Sequence, residues 1–355
     1  MKKILLILLA LSLTACDIQV GVEKETDQND FFYEQYDQDE KQEVYNAIYN
    51  ALLNKQMEIE LGSVSLSSDE IFSIATQVSD DHPEFFYFFG DCSYSSKDYV
   101  VYKKVYLTLK YAYTIEQIQA YETQLAAITE TYLEGISNLD EMGVIKYTYD
   151  YLIQNVSYDY TTLENLPAVL DEPDGYGLIG ALINHTCVCA GYAKAFQYLL
   201  NTVGYDCLYI RGYLNGESHA WNAVNIGGSY YHFDVTSDDN NDGSMPFSFY
   251  HYFGLNTTQI LQNHIIDNFV SETTDTSYNY HIYYGHYLTS IDQLDTLMNN
   301  QKGNSVISIQ CSSYELYQEV IEKLINNKNI SSYYSAGTIS YILFDPLYLV
   351  QFYTM

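Results

Sequence analysis

The segment from Cys189 to Thr236 constrains the fold more than any other stretch of this chain. Ala190, Ala193, Phe196, Leu200 and Val203, with Tyr192 and Leu199 between them, recur at i, i+3, i+4, i+7 spacing and predict a helix that Gly204 stops. Asp206 to Leu214 then reads as a strand ending at Asn215-Gly216, a strong hairpin signal. His219 to Ile226 is a second strand, Gly227-Gly228 a two-residue turn, and Ser229 to Thr236 a third strand. A tight second turn pairs Ile226 with Ser229, sets Trp221 opposite Asp234, and makes Asp234 the diagonal neighbour of His219 on one sheet face. Diagonal neighbours lie about 7–8 Å apart, within reach of an imidazole and a carboxylate. The local pattern alone therefore predicts a helix beside an antiparallel sheet that carries a His–Asp pair.

The predicted helix begins at Cys189, with a loop before it. Unpaired N–H groups and the positive end of the helix dipole favour a thiolate at that position, and the same N–H groups suit an oxyanion. Cys187 lies two residues earlier, in the loop, and lacks this placement. A thiolate, a base and an orienting carboxylate are the parts of a cysteine acyl-transfer site. Each residue has a plainer counterpart: a small buried thiol, a satisfied core histidine, a sheet-end carboxylate. The three stand or fall together.

These residues also carry a resemblance. Val188-Cys189-Ala190-Gly191-Tyr192-Ala193-Lys194-Ala195-Phe196, His219-Ala220-Trp221-Asn222 and Asp234-Val235-Thr236 resemble the three blocks of the transglutaminase-like superfamily. Tyr149-Asp150-Tyr151-Leu152 and Tyr158-Asp159-Tyr160 are similar to the helix and loop that precede the cysteine block, and the likeness covers roughly residues 139 to 265. It implies an α+β fold with a papain-like core, the cysteine helix packed on an antiparallel sheet, and Cys189, His219 and Asp234 as the catalytic triad. Trp221, read as packing behind the site where it would shape the acyl pocket, and Tyr192 are the candidates for a substrate pocket. Ser237 departs from the family pattern, standing where a Trp is common. The resemblance covers hydrolysis of peptide or protein amides and transfer of the acyl group to lysine amines, with hydrolysis the favoured reading. A non-catalytic cell-surface or cell-wall binding protein that keeps the fold is the rival.

Charge excludes other classes. Asp and Glu number 46 against 15 Lys and Arg, for a net charge of −31, and Arg211 is the sole arginine. No basic face for nucleic acid can be built from so few cations. Aromatic residues make up 16% of the chain, with 40 tyrosines, which suit strands, rims and polar surfaces alike. No cofactor and no metal are expected. Cys187 and Cys189 have no partner pair at zinc spacing, and His185 and His232 read as loop and strand residues. Asp238 to Gly243 opens like a calcium loop, but Phe249 stands where the bidentate Glu belongs.

The organisation expected along the chain starts with an address. Met1-Lys2-Lys3 precedes an apolar run from Ile4 to Leu13, too short to span a bilayer and suited to a signal peptide. Leu13-Thr14-Ala15-Cys16 resembles the lipobox of bacterial lipoproteins, which implies lipid on Cys16 and an extracytoplasmic, membrane-anchored protein. The expected parts are residues 1–16 as signal, 17–34 as acidic tether and 35–113 as an N-terminal accessory region. Residues 114–270 form the transglutaminase-like domain and 271–355 a small C-terminal α/β domain. The expected partners are a peptide or protein substrate, with cell-wall components as a further class, and the membrane. Lipid on Cys16 predicts that the native chain partitions into the detergent phase and that Cys16→Ser releases it or leaves it unprocessed. A wild-type chain that stays in the aqueous phase with an unmodified amino terminus removes the anchor.

Overall fold

The computed structural model describes residues 30–100, 102–165, 168–239, 248–268, 272–334 and 338–354. The signal peptide, Cys16, most of the tether and positions 240–243 of the acidic loop lie outside them. The tether expected to reach Glu34 ends sooner: α1 (Phe31–Gln35) is already packed, with Phe32 buried and Asp30 within 3.1 Å of His82.

Helix α2 (Asp39–Leu53) buries the Val44, Ile48, Ala51 and Leu52 stripe, and β1 (Glu58–Gly62) follows. Helix α3 (Ser68–Asp81) opens with a capping box: Ser67 accepts from the Glu70 amide and Glu70 reaches back. A hairpin of β2 (Phe88–Asp98) and β3 (Lys103–Tyr111) follows. The far half of β2 is exposed on both faces, so it carries no apolar alternation to read. Helices α4 (Ile115–Ile136) and α5 (Glu141–Asn155) follow, separated by a break after Ile136. The loop-rich stretch beyond them holds β4 (Ser157–Tyr158), α6 (Tyr160–Asn165), α7 (Pro173–Tyr176) and β5 (Thr186–Cys187).

Helix α8 (Cys189–Thr202) and strands β6 (Cys207–Leu214), β7 (Glu217–Ile226) and β8 (Ser229–Phe233) reproduce the helix and two hairpins, with Ile226 paired to Ser229. The third strand is shorter than expected. Its ladder ends at Asn222 opposite Phe233, and Asp234 caps the helical turn α9 (Val235–Asp238) instead of facing Trp221. Strands β9 (Phe253–Leu255) and β10 (His264–Ile266), with α10 (Thr257–Ile260) between them, complete an antiparallel sheet in the order β10-β6-β7-β8-β9. One core cluster runs from Phe32 to Phe253, so the N-terminal region shares its interior with the cysteine helix. Asp80 reinforces that junction from α3, 2.5 Å from Arg211 on β6 and 3.9 Å from Lys194 on α8.

The C-terminal part has its own core from Leu288 to Phe352. Helices α11 (Tyr280–Tyr283), α12 (Leu294–Asn300) and α13 (Tyr314–Ile321) accompany β11 (Tyr287–Leu288), β12 (Val306–Cys311), β13 (Ile339–Phe344) and β14 (Leu349–Thr354). The strand order is β11-β12-β14-β13. The protein is thus a mixed helix-and-sheet fold with a papain-like domain at its centre. Among the described residues no helix is long and apolar enough to cross a membrane.

Gly212 is where β10 docks on β6. A Cβ there would run into the carbonyl oxygen of Ile265 and come within 2.9 Å of the Trp221 ring. Overpacking of this kind costs about 1–3 kcal/mol. Gly212→Ala is therefore expected to lower the denaturant midpoint, and an unchanged midpoint would show that β10 does not sit tightly on β6.

Candidate active site

Cys189 is the first residue of α8, and Val188 before it supplies no side-chain cap to the open helix end. The thiol is half-buried against Ala193, Tyr209 and Ala220. The other four described cysteines are also free, but burial pushes Cys92 up to about 11, Cys311 up to about 12, and Cys187 and Cys207 well above the ordinary thiol value. Cys187, the near neighbour, is fully buried, and its sulfur fills the space beside Gly191. Of the C-x-C pair only Cys189 is partly exposed.

His219 begins the buried part of β7, and Cys189 is among the groups that raise its ring above the ordinary value. Its Nε2 lies 2.8 Å from Oδ2 of Asp234, which leaves Nδ1 for the thiol. The sequence placed this pair by register; in the structure the contact forms with Asp234 turned out of the ladder as the N-cap of α9. Burial disfavours the His219 imidazolium, but the Asp234 carboxylate and Cys189 outweigh it and push the group up to about 10. Asp234 is fully buried, which opposes its ionisation; His219 and His264 overcome that and hold the carboxyl far below its usual range.

Three further groups support Asp234. His264, from β10, sets its Nε2 3.1 Å from the same Oδ2. The Ser237 hydroxyl donates to Oδ2 at 2.5 Å, and its amide to Oδ1 at 3.2 Å. Tyr149, on α5, donates to the Asp234 carbonyl at 2.9 Å. Sequence reasoning missed His264, which sits in a three-residue strand with no periodicity to mark it. Ser237 was read as a departure from the family pattern; its hydroxyl is a ligand of the buried carboxylate.

The pocket expectation needs correction. Tyr192 is fully buried and gives its hydroxyl to Asp239, and Trp221 is 1% exposed, so neither offers surface to a substrate. Trp221 lies behind the site, near-parallel to the His219 ring at 6.0 Å, and donates its indole N–H to His232 at 3.1 Å. Burial pulls His232 down to about 3, so that ring is a neutral acceptor. His185, exposed and in a left-handed turn, lies outside this cluster.

His219, Asp234 and His264 also place three ligand-type atoms within 4.8 Å of one another. Both Nε2 atoms, however, already share hydrogen bonds with Asp234 Oδ2, so the arrangement serves a proton network. Asp238, the first position of the calcium-like loop, is likewise occupied: it accepts from Tyr149 and from the amides of His251 and Tyr252.

With this geometry in place, comparisons with known proteins add the following. The sequence model of the transglutaminase-like superfamily matches residues 130–235. No curated protein matches the chain. Among solved structures, one described as a TGase is 14% identical over 54% of each chain, with a TM-score of 0.32. A candidate cysteine protease from Cytophaga hutchinsonii is 15% identical over 41% of this chain and 62% of its own, with a TM-score of 0.25. A candidate protease from Parabacteroides distasonis ATCC 8503 is 10% identical over 71% of this chain and 51% of its own, with a TM-score of 0.28. The chain thus spans only about half to three-fifths of these solved chains.

The raised His219 gives a sign that can be checked. Its folded value lies above the ordinary 6.5, so the ion pair with Asp234 stabilises the protein fully below about pH 6.5 and is lost as pH climbs toward 10. In Asp234→Asn the imidazolium loses its partner, burial dominates, and the midpoint is expected below 6.5. NMR titration of the His219 ring reads both values; a midpoint near 6.5 in both proteins would overturn the pairing.

Proposed function

We propose that this chain, with a transglutaminase-like domain at residues 130–235, is a cysteine enzyme that hydrolyses amide bonds of peptides or proteins through a thioester. It works at the outer face of the cell membrane, held there by lipid on Cys16. The observation that carries the reading is His219, with one nitrogen on the Asp234 carboxylate and the other free for the Cys189 thiol.

The chemistry follows from those positions. The Cys189 thiolate attacks the amide carbonyl carbon, a C–S bond forms, and the Cys189 backbone N–H at the uncapped helix end helps hold the oxyanion. The tetrahedral adduct collapses by breaking the C–N bond, and His219 gives its proton to the departing amine. Water then attacks the thioester, His219 takes up its proton, and cleavage of the C–S bond returns the thiolate and releases the acid. Asp234 stays ionised throughout and fixes the ring so that Nδ1 faces sulfur. Cys189 is only half-buried, so water reaches the acyl-enzyme; this favours hydrolysis over transfer to an amine.

The test uses peptide substrates screened with and without an added primary amine, and three variants. His219→Ala and Asp234→Asn are each expected to cost orders of magnitude in turnover. Because the residues act as a unit, the double variant should be little worse than His219→Ala alone. Turnover within about threefold of wild type in both single variants, worth only ~0.65 kcal/mol, would overturn the assignment. Amine incorporation that outpaces hydrolysis would reassign the acceptor.

A further inference from the structure

Asp234 Oδ2 serves two imidazoles, and only one of them can reach the thiol. His264 is fully buried and belongs to the short strand β10, which exists only as an edge laid on β6. Its Nε2 lies 3.1 Å from Asp234 Oδ2, and its Nδ1 lies 2.9 Å from Asn263 Oδ1. Asn263 is itself fixed by donation from Nδ2 to the Tyr252 hydroxyl at 2.7 Å. The Trp221 ring meets His264 edge-on at 4.8 Å, and Tyr252 meets it at 5.4 Å, so the ring has no room to turn away. An ionised carboxylate only accepts, so the proton between Asp234 and His264 sits on Nε2 of the imidazole.

From this network we infer that His264 is a positioning residue for catalysis, a fourth member that acts through Asp234 on His219. The inference rests on the triad reading above. Its work is electrostatic and geometric. A fully buried carboxylate with a single imidazole partner would be under-satisfied, and it would either take up a proton or swing to find another donor. Either event releases the His219 ring, because the bond from Nε2 to Asp234 is what aims Nδ1 at Cys189. The groups that face His219 are Asp234 beyond β8, Cys189 on α8, Trp221 beside it on β7 and His264 on β10 at 5.7 Å between ring centres.

Substitution separates donor from bulk. Gln places an amide N–H near the position of a histidine Nε2, whereas Phe keeps the ring volume and removes the donor. His264→Phe is expected to lose about 10- to 100-fold in kcat with KM little changed. Its alkaline limb in the pH–rate profile should move downward, because Asp234, protonated or turned away, no longer holds the His219 proton. His264→Gln should recover most of the loss. Asn263→Leu, which frees the ring without touching Asp234, should give a smaller loss in the same direction and serves as the reading if His264→Phe fails to give a cooperative thermal melt. Labelling of Cys189 by iodoacetamide at pH 6 is followed in parallel with His219→Ala and Asp234→Asn. If those two variants leave labelling unchanged, the triad reading itself fails. If they slow it while folded His264→Phe, or Asn263→Leu in its place, keeps wild-type kcat and pH limb, only the role of His264 is overturned. Equal loss in His264→Gln and His264→Phe overturns it as well.

Discussion

A charged carboxylate with no exposed surface has to be satisfied on every side, and the centre of this protein is arranged around one. Asp234 collects His219 from β7, His264 from β10 and both donors of Ser237, while its own backbone bonds Tyr252 and Tyr149. Burying an ion without partners costs several kcal/mol, and breaking a buried pair leaves the survivor uncompensated. Each donor comes from a different element, so α5, β7, β10 and the turn after β8 must all be in place before the carboxylate can be. The early end of β8 belongs to the same requirement. As the N-cap of the turn that follows β8, Asp234 has the Ser237 amide and hydroxyl within reach of its carboxylate, together with the two imidazoles.

The shortage of cations and the surplus of tyrosine are two sides of one solution. With 15 Lys and Arg for 46 Asp and Glu, few acids can be paired with ammonium and guanidinium groups, as buried Asp80 is with Arg211 and Lys194. Tyrosine hydroxyls serve others: Tyr45 donates to buried Asp81 and Tyr149 to buried Asp238, while Tyr230, Tyr250 and Tyr113 donate to the half-buried Asp206, Asp150 and Asp174. A phenol brings a ring for the core and a donor for the acid, without a second charge to desolvate. The cost is that such a donor leaves the acid easier to protonate than a cation does. Burial pushes Asp81 up to about 8 and Asp238 up to about 7, although each accepts from a tyrosine. Asp234 is held on the other side of its ordinary value because its partners are imidazoles.

What the sequence disclosed follows the range of the interactions involved. The cysteine helix, the two hairpins and the register from Ile226 to Ser229 depend on neighbours a few residues apart, and the hydrophobic period and the Gly turns record them. The His219–Asp234 pair was legible by extension of that register, although the ladder stops one residue short. His264 was not, since β10 pairs with β6 across some fifty intervening positions, and its three residues are too few to show alternation. Tyr192 and Trp221 were assigned to a pocket because aromatic rings near a nucleophile suggest one; burial was decided by α8, β7 and the loops above them, which no local pattern reports. The outer half of β2 was illegible for a related reason, being too polar and exposed to show a strand period.

The layer behind the site explains why the charges stay where they are. Trp221 lies near-parallel to His219 and hydrogen-bonds His232, whose Nδ1 must accept from the indole and is therefore unprotonated. His232 is fully buried, and its Nε2 has no hydrogen-bond partner among the described residues. A cation there would have nothing to offset it, and burial keeps the ring neutral. The nearest imidazole behind the sheet therefore contributes no charge of its own to compete for Asp234. In the proposed mechanism the proton moves on the line from Cys189 to His219, with Asp234 behind it. A second protonated ring behind Trp221 would have pulled on the same carboxylate and loosened the bond that aims His219.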